Sequence, residues 1–234
     1  MTDHPSAIVT AAGRGIGEGI ARHLAGLGYR LLLMSNGSGA ERLAAELGCI
    51  GLRGSVTSSA DIDRAVRAAD DAFGRIDLVV NNTGHPAQGE LLAIDDGDWH
   101  AGLDLLLLNV VRMARAVTPI MERQDGGVIL NISSYVAEQP SLRYPVSSTL
   151  RAALSAWTKL YADACGGTNI RINNILPGSF DNYAASPEQI DAIPLRRQGR
   201  MDELGRVVAF LASDDAAYIT GQNIRVDGGL ARAL

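Results

Sequence analysis

Ser134, Tyr144, Ser147 and Arg151 lie in one short stretch, with Tyr144 three residues before Ser147 and Ser147 four before Arg151. On a helix these three project from one face, with about 4.5 Å of rise between Tyr144 and Ser147. A phenol can give or take a proton, a serine hydroxyl can orient an oxygen, and a guanidinium can hold hydroxyls or place positive charge beside the phenol. Such a set suits a reaction that protonates or deprotonates a carbonyl-derived oxygen. A serine hydroxyl has no useful acidity near neutral pH, so Tyr144 rather than Ser147 is the candidate acid. Its other reading is a tyrosine packed at a helix start or at a subunit contact. A second set, Gly13-Arg14-Gly15-Ile16-Gly17, follows the β-prone run Ala7 to Thr10 and opens the helical pattern Ile16, Ile20, Leu24 and Leu27. Glycines here permit positive φ and close backbone approach, and the helix that follows presents free N–H groups and a positive dipole end to a pyrophosphate. The same turn also serves as a tight connection with no ligand.

The elements that must position these residues alternate along the chain. Strands are expected at 31–34, 49–52, 78–80, 128–132, 170–175 and 223–226, after the first at 7–10, and helices at 40–47, 62–73, 99–121, 145–165 and 201–211. Strand and helix in alternation imply a parallel sheet covered by helices on both faces. The expected architecture is therefore α/β, a doubly wound parallel sheet of the Rossmann type in a single domain spanning 1–234. Proline at 145 suits a helix that begins just after Tyr144.

A chain of 234 residues with 47% hydrophobic content fits one core. The net charge of −5 is mild and the acidic residues are scattered, so neither nucleic acid nor a membrane is expected as a partner. The longest apolar stretch, Leu103 to Val111, is too short to span a bilayer and no secretory signal opens the chain, so a cytoplasmic location is expected. Cys49 and Cys165 lie far apart and suggest neither a disulfide nor a metal site. Lys159 is the only lysine among 21 basic residues, so arginine stands almost everywhere a cation is needed.

The glycine turn, Asn81-Asn82-Thr83-Gly84, Asn131-Ile-Ser133-Ser134, Asn174-Ile-Leu-Pro177-Gly178 and Val226-Asp-Gly-Gly229, in that order and at those intervals, resemble the short-chain dehydrogenase/reductase family across nearly the whole chain. The resemblance implies a nicotinamide cofactor held by Gly13, Arg14, Gly15, Ile16, Gly17, Asn82, Thr83, Gly84, Pro177 and Gly178, with Ser35 and Asn36 at the end of the second strand. With no carboxylate at 34–36 to repel a 2′-phosphate, and with Arg14 in the turn, NADP is favoured over NAD. Ser55 stands where relatives usually carry an aspartate toward adenine, and Asn182 where a threonine commonly meets the carboxamide.

The resemblance further implies that Ser134 polarises the substrate oxygen, that Asn109 holds a proton-relay water, and that a Tyr-x-x-x-Lys pair does the rest. Here the alignment of Ala152-Ala153-Leu154 puts Ser147 at the tyrosine and Arg151 at the lysine position. Arg151 retains the capacity to hold the cofactor ribose. Tyr144-x6-Arg151 resembles the Tyr-x6-Lys of enoyl-acyl-carrier-protein reductases, a divergent branch of the family. The segment 179–190 is short for the family's substrate loop, and Phe180 and Tyr183 either stack on a substrate or anchor the loop. The helices at 99–121 and 145–165 correspond to those through which relatives pair, which implies a homodimer or homotetramer. Two functions stay open: an NADP-dependent oxidoreductase on a small carbonyl, alcohol or enoyl substrate, and a protein that keeps the fold and binds a nucleotide or metabolite without hydride transfer. A lyase or dehydratase on the same scaffold is a third.

Overall fold

A computed structural model describes residues 4–232. Seven parallel strands form one sheet in the order β3-β2-β1-β4-β5-β6-β7. They are β1 Ser6–Thr10, β2 Arg30–Ser35, β3 Ile50–Arg53, β4 Leu78–Asn81, β5 Gly127–Ile132, β6 Ile170–Pro177 and β7 Asn223–Val226. The helices are α1 Gly15–Gly26, α2 Gly39–Leu47, α3 Ser59–Phe73, α4 Asp96–Leu103, α5 Asn109–Arg123, α6 Pro145–Ala164, α7 Pro187–Asp191 and α8 Met201–Ala212.

Successive strand residues feed opposite cores. Ala7 and Val9 of β1, with Leu31 and Leu33 of β2, pack under α1, α2 and α8. Ile8, Leu32 and Met34 turn the other way, under α3, α5 and α6. This period of two, with both faces apolar, is why the strands read as continuous hydrophobic runs. The expected doubly wound sheet is the observed one. Cys165 is buried, Cys49 is partly buried, and both are free thiols. No helix of the described residues is long and apolar enough to cross a membrane.

The chain leaves β1 toward β2 and β3, then returns to place β4 on the other side of β1. The carboxyl ends of β1 and β4 therefore form the topological switch point, where open α/β sheets keep their ligand crevice. Thr10 fastens it: its Oγ1 donates to the Asn82 carbonyl at 2.7 Å and accepts from the Asn82 N–H at 2.9 Å.

Beneath that end of the sheet runs a ladder of amides. Asn81, Asn131, Asn174 and Asn223 are register partners on β4 to β7. Asn81 Nδ2 donates to Asn131 Oδ1 at 2.9 Å, Asn131 Nδ2 to Asn174 Oδ1 at 2.9 Å, and Asn174 Nδ2 to Asn223 Oδ1 at 2.8 Å. Thr158 of α6 ties the helix to it, donating to Asn174 Oδ1 at 3.0 Å and accepting from Asn131 Nδ2 at 3.3 Å.

The one helix expected over 99–121 is observed as α4 and α5 joined by a π-helical segment, Asp104–Leu108. The backbone N–H of Asn109 reaches Asp104 O, five residues back, and Asn109 Nδ2 takes Leu105 O at 2.5 Å in its place. Helical periodicity cannot register this single wide turn.

Candidate active site

The glycine turn is built by close approach. A Cβ on Gly17 would lie 2.4 Å from Ala11 O, and one on Gly13 would lie 3.0 Å from Gly39 Cα, so the turn packs directly against the start of α2. Arg14 precedes α1 with extended backbone and gives no side-chain cap, which leaves the helix N–H groups open. These features fit a pyrophosphate. Ala11 holds φ at +46°, where a side chain is strained. Ala11→Gly is expected to stabilise the fold by about 0.5–1 kcal/mol, relief of strain exceeding the added chain entropy of glycine. Urea unfolding monitored by circular dichroism checks it, and a destabilised variant contradicts it.

At the end of β2, Ser35 is buried and its hydroxyl is engaged locally, donating to Gly37 O at 2.9 Å and accepting from Ala40 N at 3.0 Å. Ser35 thus shapes the turn that Asn36, which is exposed, presents. Two cations that the sequence reading passed over stand beside it: Arg53 donates to Asn36 O at 3.3 Å and Arg42 to Ser38 Oγ at 3.1 Å. The Ser55 N–H donates to Asp61 at 3.0 Å, so a carboxylate does reach that corner from α3. On the other side of the crevice, Asn82 Nδ2 donates to Ala11 O at 3.3 Å, while Thr83 Oγ1 is buried with no partner among the described residues. Pro177 ends β6 and Gly178 donates to Val226 O at 3.0 Å, with room for nothing larger than hydrogen beside Asp227.

Ser134 follows β5 and caps the 3₁₀ turn Tyr135–Ala137, its Oγ accepting from Val136 N at 3.4 Å and keeping its own proton for another acceptor. Asn109 is buried, and its Oδ1 has no partner among the described residues. Tyr144 is fixed just before α6 by backbone bonds, Tyr144 N to Ser141 O at 2.9 Å and Ser148 N to Tyr144 O at 2.8 Å. The Arg143 guanidinium lies 5.3 Å from its ring centre. Tyr135 is the neighbour that the sequence reading missed, although it adjoins Ser134. Burial first, then Tyr144 and Tyr183, push the Tyr135 phenol above its ordinary pKa, so three phenols share this side of the cleft. An open pocket beside them is lined by Gln88, Gly89, Glu90, Leu91, Leu142 and Arg143.

Nearly two turns into α6, Arg151 is 6% exposed. Its Nε donates to Ser147 Oγ at 3.1 Å and its Nη1 to the Ile132 carbonyl at 2.9 Å. Burial pushes its pKa down to about 10, which leaves it cationic at neutral pH. The structure thus joins Arg151 to Ser147, whereas no hydrogen bond links Tyr144 to either. His85, next after Asn82-Thr83-Gly84, is the other missed residue: burial, then Arg151 and Arg14, hold its imidazole below the usual value. Its pKa is expected to rise when Arg151 is changed to Gln, as read by NMR titration; an unchanged value would separate the two groups.

The lid is short, as the sequence indicates. Phe180 is buried in the core and anchors it, Tyr183 is exposed, and Gln198 Nε2 ties the two ends by donating to Phe180 O at 2.7 Å and Tyr183 O at 3.1 Å. Asn182 Nδ2 comes within 3.5 Å of where a Cβ on Gly15 would stand, so the lid closes onto the glycine turn.

A family model described as enoyl-(acyl-carrier-protein) reductase matches residues 10–231. The chain belongs to the short-chain dehydrogenase/reductase family. It is 34% identical to the oxidoreductase UcpA of Salmonella typhimurium, covering 96% of this chain and 93% of that protein. Among solved structures of the family, it superposes on L-sorbose reductase from Gluconobacter frateurii, complexed with NADPH and L-sorbose, with a TM-score of 0.88 at 27% identity, covering 99% and 98% of the two chains. A 3-ketoacyl-(acyl-carrier-protein) reductase from Brucella melitensis complexed with NADH gives 0.90 at 27% identity, covering 97% and 98%. Short-chain dehydrogenase/reductase relatives thus hold either nicotinamide cofactor on this fold, and the ones it matches are oxidoreductases.

Proposed function

We propose that this chain is an NADP-dependent oxidoreductase acting on a small carbonyl, alcohol or enoyl substrate, with Tyr144 as its proton donor. The observation that carries the reading is the crevice itself. The glycine turn, the open N-terminus of α1 and a carboxylate-free, arginine-flanked end of β2 stand at one end, with Ser134, Asn109 and Arg151 at the other. The chemistry such a cofactor supplies when bound is a hydride at the substrate carbon. Ser134 orients the substrate oxygen with its free proton, Tyr144 delivers a proton to that oxygen, Arg151 holds the ribose, and Asn109 positions a relay water. Arg14, Arg42 and Arg53 favour the 2′-phosphate.

Fluorescence titration is expected to give NADPH a lower Kd than NADH, and Arg14→Ala to narrow that gap; equal affinities in the unaltered protein would refute the preference. A second reading, nucleotide binding without hydride transfer, draws on Ser147, whose hydroxyl stands where a tyrosine would be and is taken up by Arg151. Assembly as a homodimer or homotetramer is part of the proposal, supported by the incompletely buried Leu105, Leu107 and Leu108 and by Leu160 of α6, which is 67% exposed. Light scattering is expected to report more than a monomer, and a monodisperse monomer would refute it.

A further inference from the structure

We infer that the substrate of this site carries a carboxylate, and that the Arg151 guanidinium is the group that recognises it. The inference rests on the reading of the crevice as a nicotinamide-dependent site and adds the chemical class of the second ligand.

The starting point is an uncompensated buried cation. Arg151 has two bonded nitrogens, and both of its acceptors, the Ser147 hydroxyl and the Ile132 carbonyl, are neutral. Nothing among the described residues accepts from Nη2, and no carboxylate there pairs with Arg151. The partly buried Arg112 is treated differently, pairing with Asp104 at 2.6 Å. A charge removed from water without a countercharge is costly, and the usual remedy is an opposite charge that arrives with a ligand. Arg14 adds a second cation near the same histidine: burial first, then Arg151 and Arg14, hold the His85 imidazole below its ordinary pKa.

The cofactor does not supply that countercharge. Its ribose hydroxyls would satisfy N–H donors, but they are neutral and leave the positive charge as it was. Its phosphates would be held at the glycine turn by the N-terminus of α1 and by Arg14. What remains is the substrate. With Nε and one Nη1 hydrogen engaged, the guanidinium keeps three hydrogens: one on Nη2 for the ribose, and the other on Nη2 with the second on Nη1, a planar pair that matches the two oxygens of a carboxylate. Ser147 contributes directly: its oxygen fixes Nε. A serine at 147 also lacks the ring that a tyrosine would carry beside the fork.

The test uses the unaltered protein saturated with NADPH, whose binding is measured separately by fluorescence. Calorimetric titration with 2-oxobutanoate and with butan-2-one, a comparison of carboxylate against neutral ketone, is expected to show the carboxylate binding about tenfold tighter or more, with a difference that shrinks as salt is added. Arg151→Gln is expected to abolish the preference. A readout that needs no variant is the His85 pKa, which should rise on binding 2-oxobutanoate and stay unmoved by butan-2-one. Equal affinities, no binding of either probe at millimolar concentration, or carboxylate binding that leaves His85 unmoved would overturn the inference. Failure of NADPH to bind would instead bring down the oxidoreductase reading on which it rests.

Discussion

Tyr144→Phe is expected to lower turnover by about 10²–10⁴ while leaving NADPH affinity nearly unchanged, the usual worth of a positioned acid removed from a site whose binding groups stay in place. The hydroxyl is the only atom lost, and Tyr144 is held by its backbone rather than by that hydroxyl, so the start of α6 should be undisturbed. Tyr135→Phe is the matched control, since it removes a phenol from the same side of the cleft, and a much smaller loss is expected. Stopped-flow measurement of NADPH oxidation resolves the two. An active protein whose rate is the same in Tyr144→Phe would remove Tyr144 from the mechanism and leave the proton to Ser134, Ser147 or water. The reciprocal change, Ser147→Tyr with Arg151→Lys, tests the alternative: a protein silent toward simple ketones that gains their reduction in the double variant has lost its acid, and the second reading then holds.

The largest effect on stability is expected in the amide ladder. Asn131→Leu keeps the volume but removes both hydrogen-bonding atoms from the middle rung. Asn81 Nδ2 then loses its acceptor and Thr158 Oγ1 its donor, while Asn174 Oδ1 keeps the bond from Thr158. Buried groups left unpaired cost about 1–3 kcal/mol each, so a loss on the order of 3 kcal/mol is expected, equivalent to roughly 6–12 °C in Tm for a chain of this size. Asn223→Ala, at the outer rung where water has access, should cost far less. A middle rung no more sensitive than the outer one would show that the ladder is incidental to the sheet.

The sheet was legible because its strands are buried on both faces and its crossovers are helical, so burial and periodicity leave their marks in residue type. Gly13 to Gly17 was legible because close backbone approach admits only glycine. What escaped the sequence depends on which atom meets which. Ser35 reads as a hydroxyl available to a cofactor, and only the turn at 37–40 shows it engaged. Phe180 reads equally as substrate platform or anchor, and its packing decides for the anchor. The pairing of Arg151 with Ser147 is a four-residue spacing found on any helix, and its meaning comes from burial, which spacing does not encode. His85 and Tyr135 adjoin recognisable segments but carry no periodic signal, and Arg42 and Arg53 converge on Asn36 from different elements.

The π-helical segment Asp104–Leu108 has a consequence for how this region tolerates change. One residue more than a regular helix needs is accommodated there, and the extra residue frees a carbonyl for the Asn109 side chain, whose Oδ1 has no partner among the described residues. Deleting a single leucine would let the helix close its ordinary hydrogen bonds from end to end and would strengthen it as a helix. The same deletion would rotate everything before it by about 100° relative to α5, carrying the face that α4 shows to α6 out of contact. Length at this point is therefore under a different constraint from composition: the leucines can be exchanged for one another, but their number cannot be changed without separating α4 from the helix that carries Arg151.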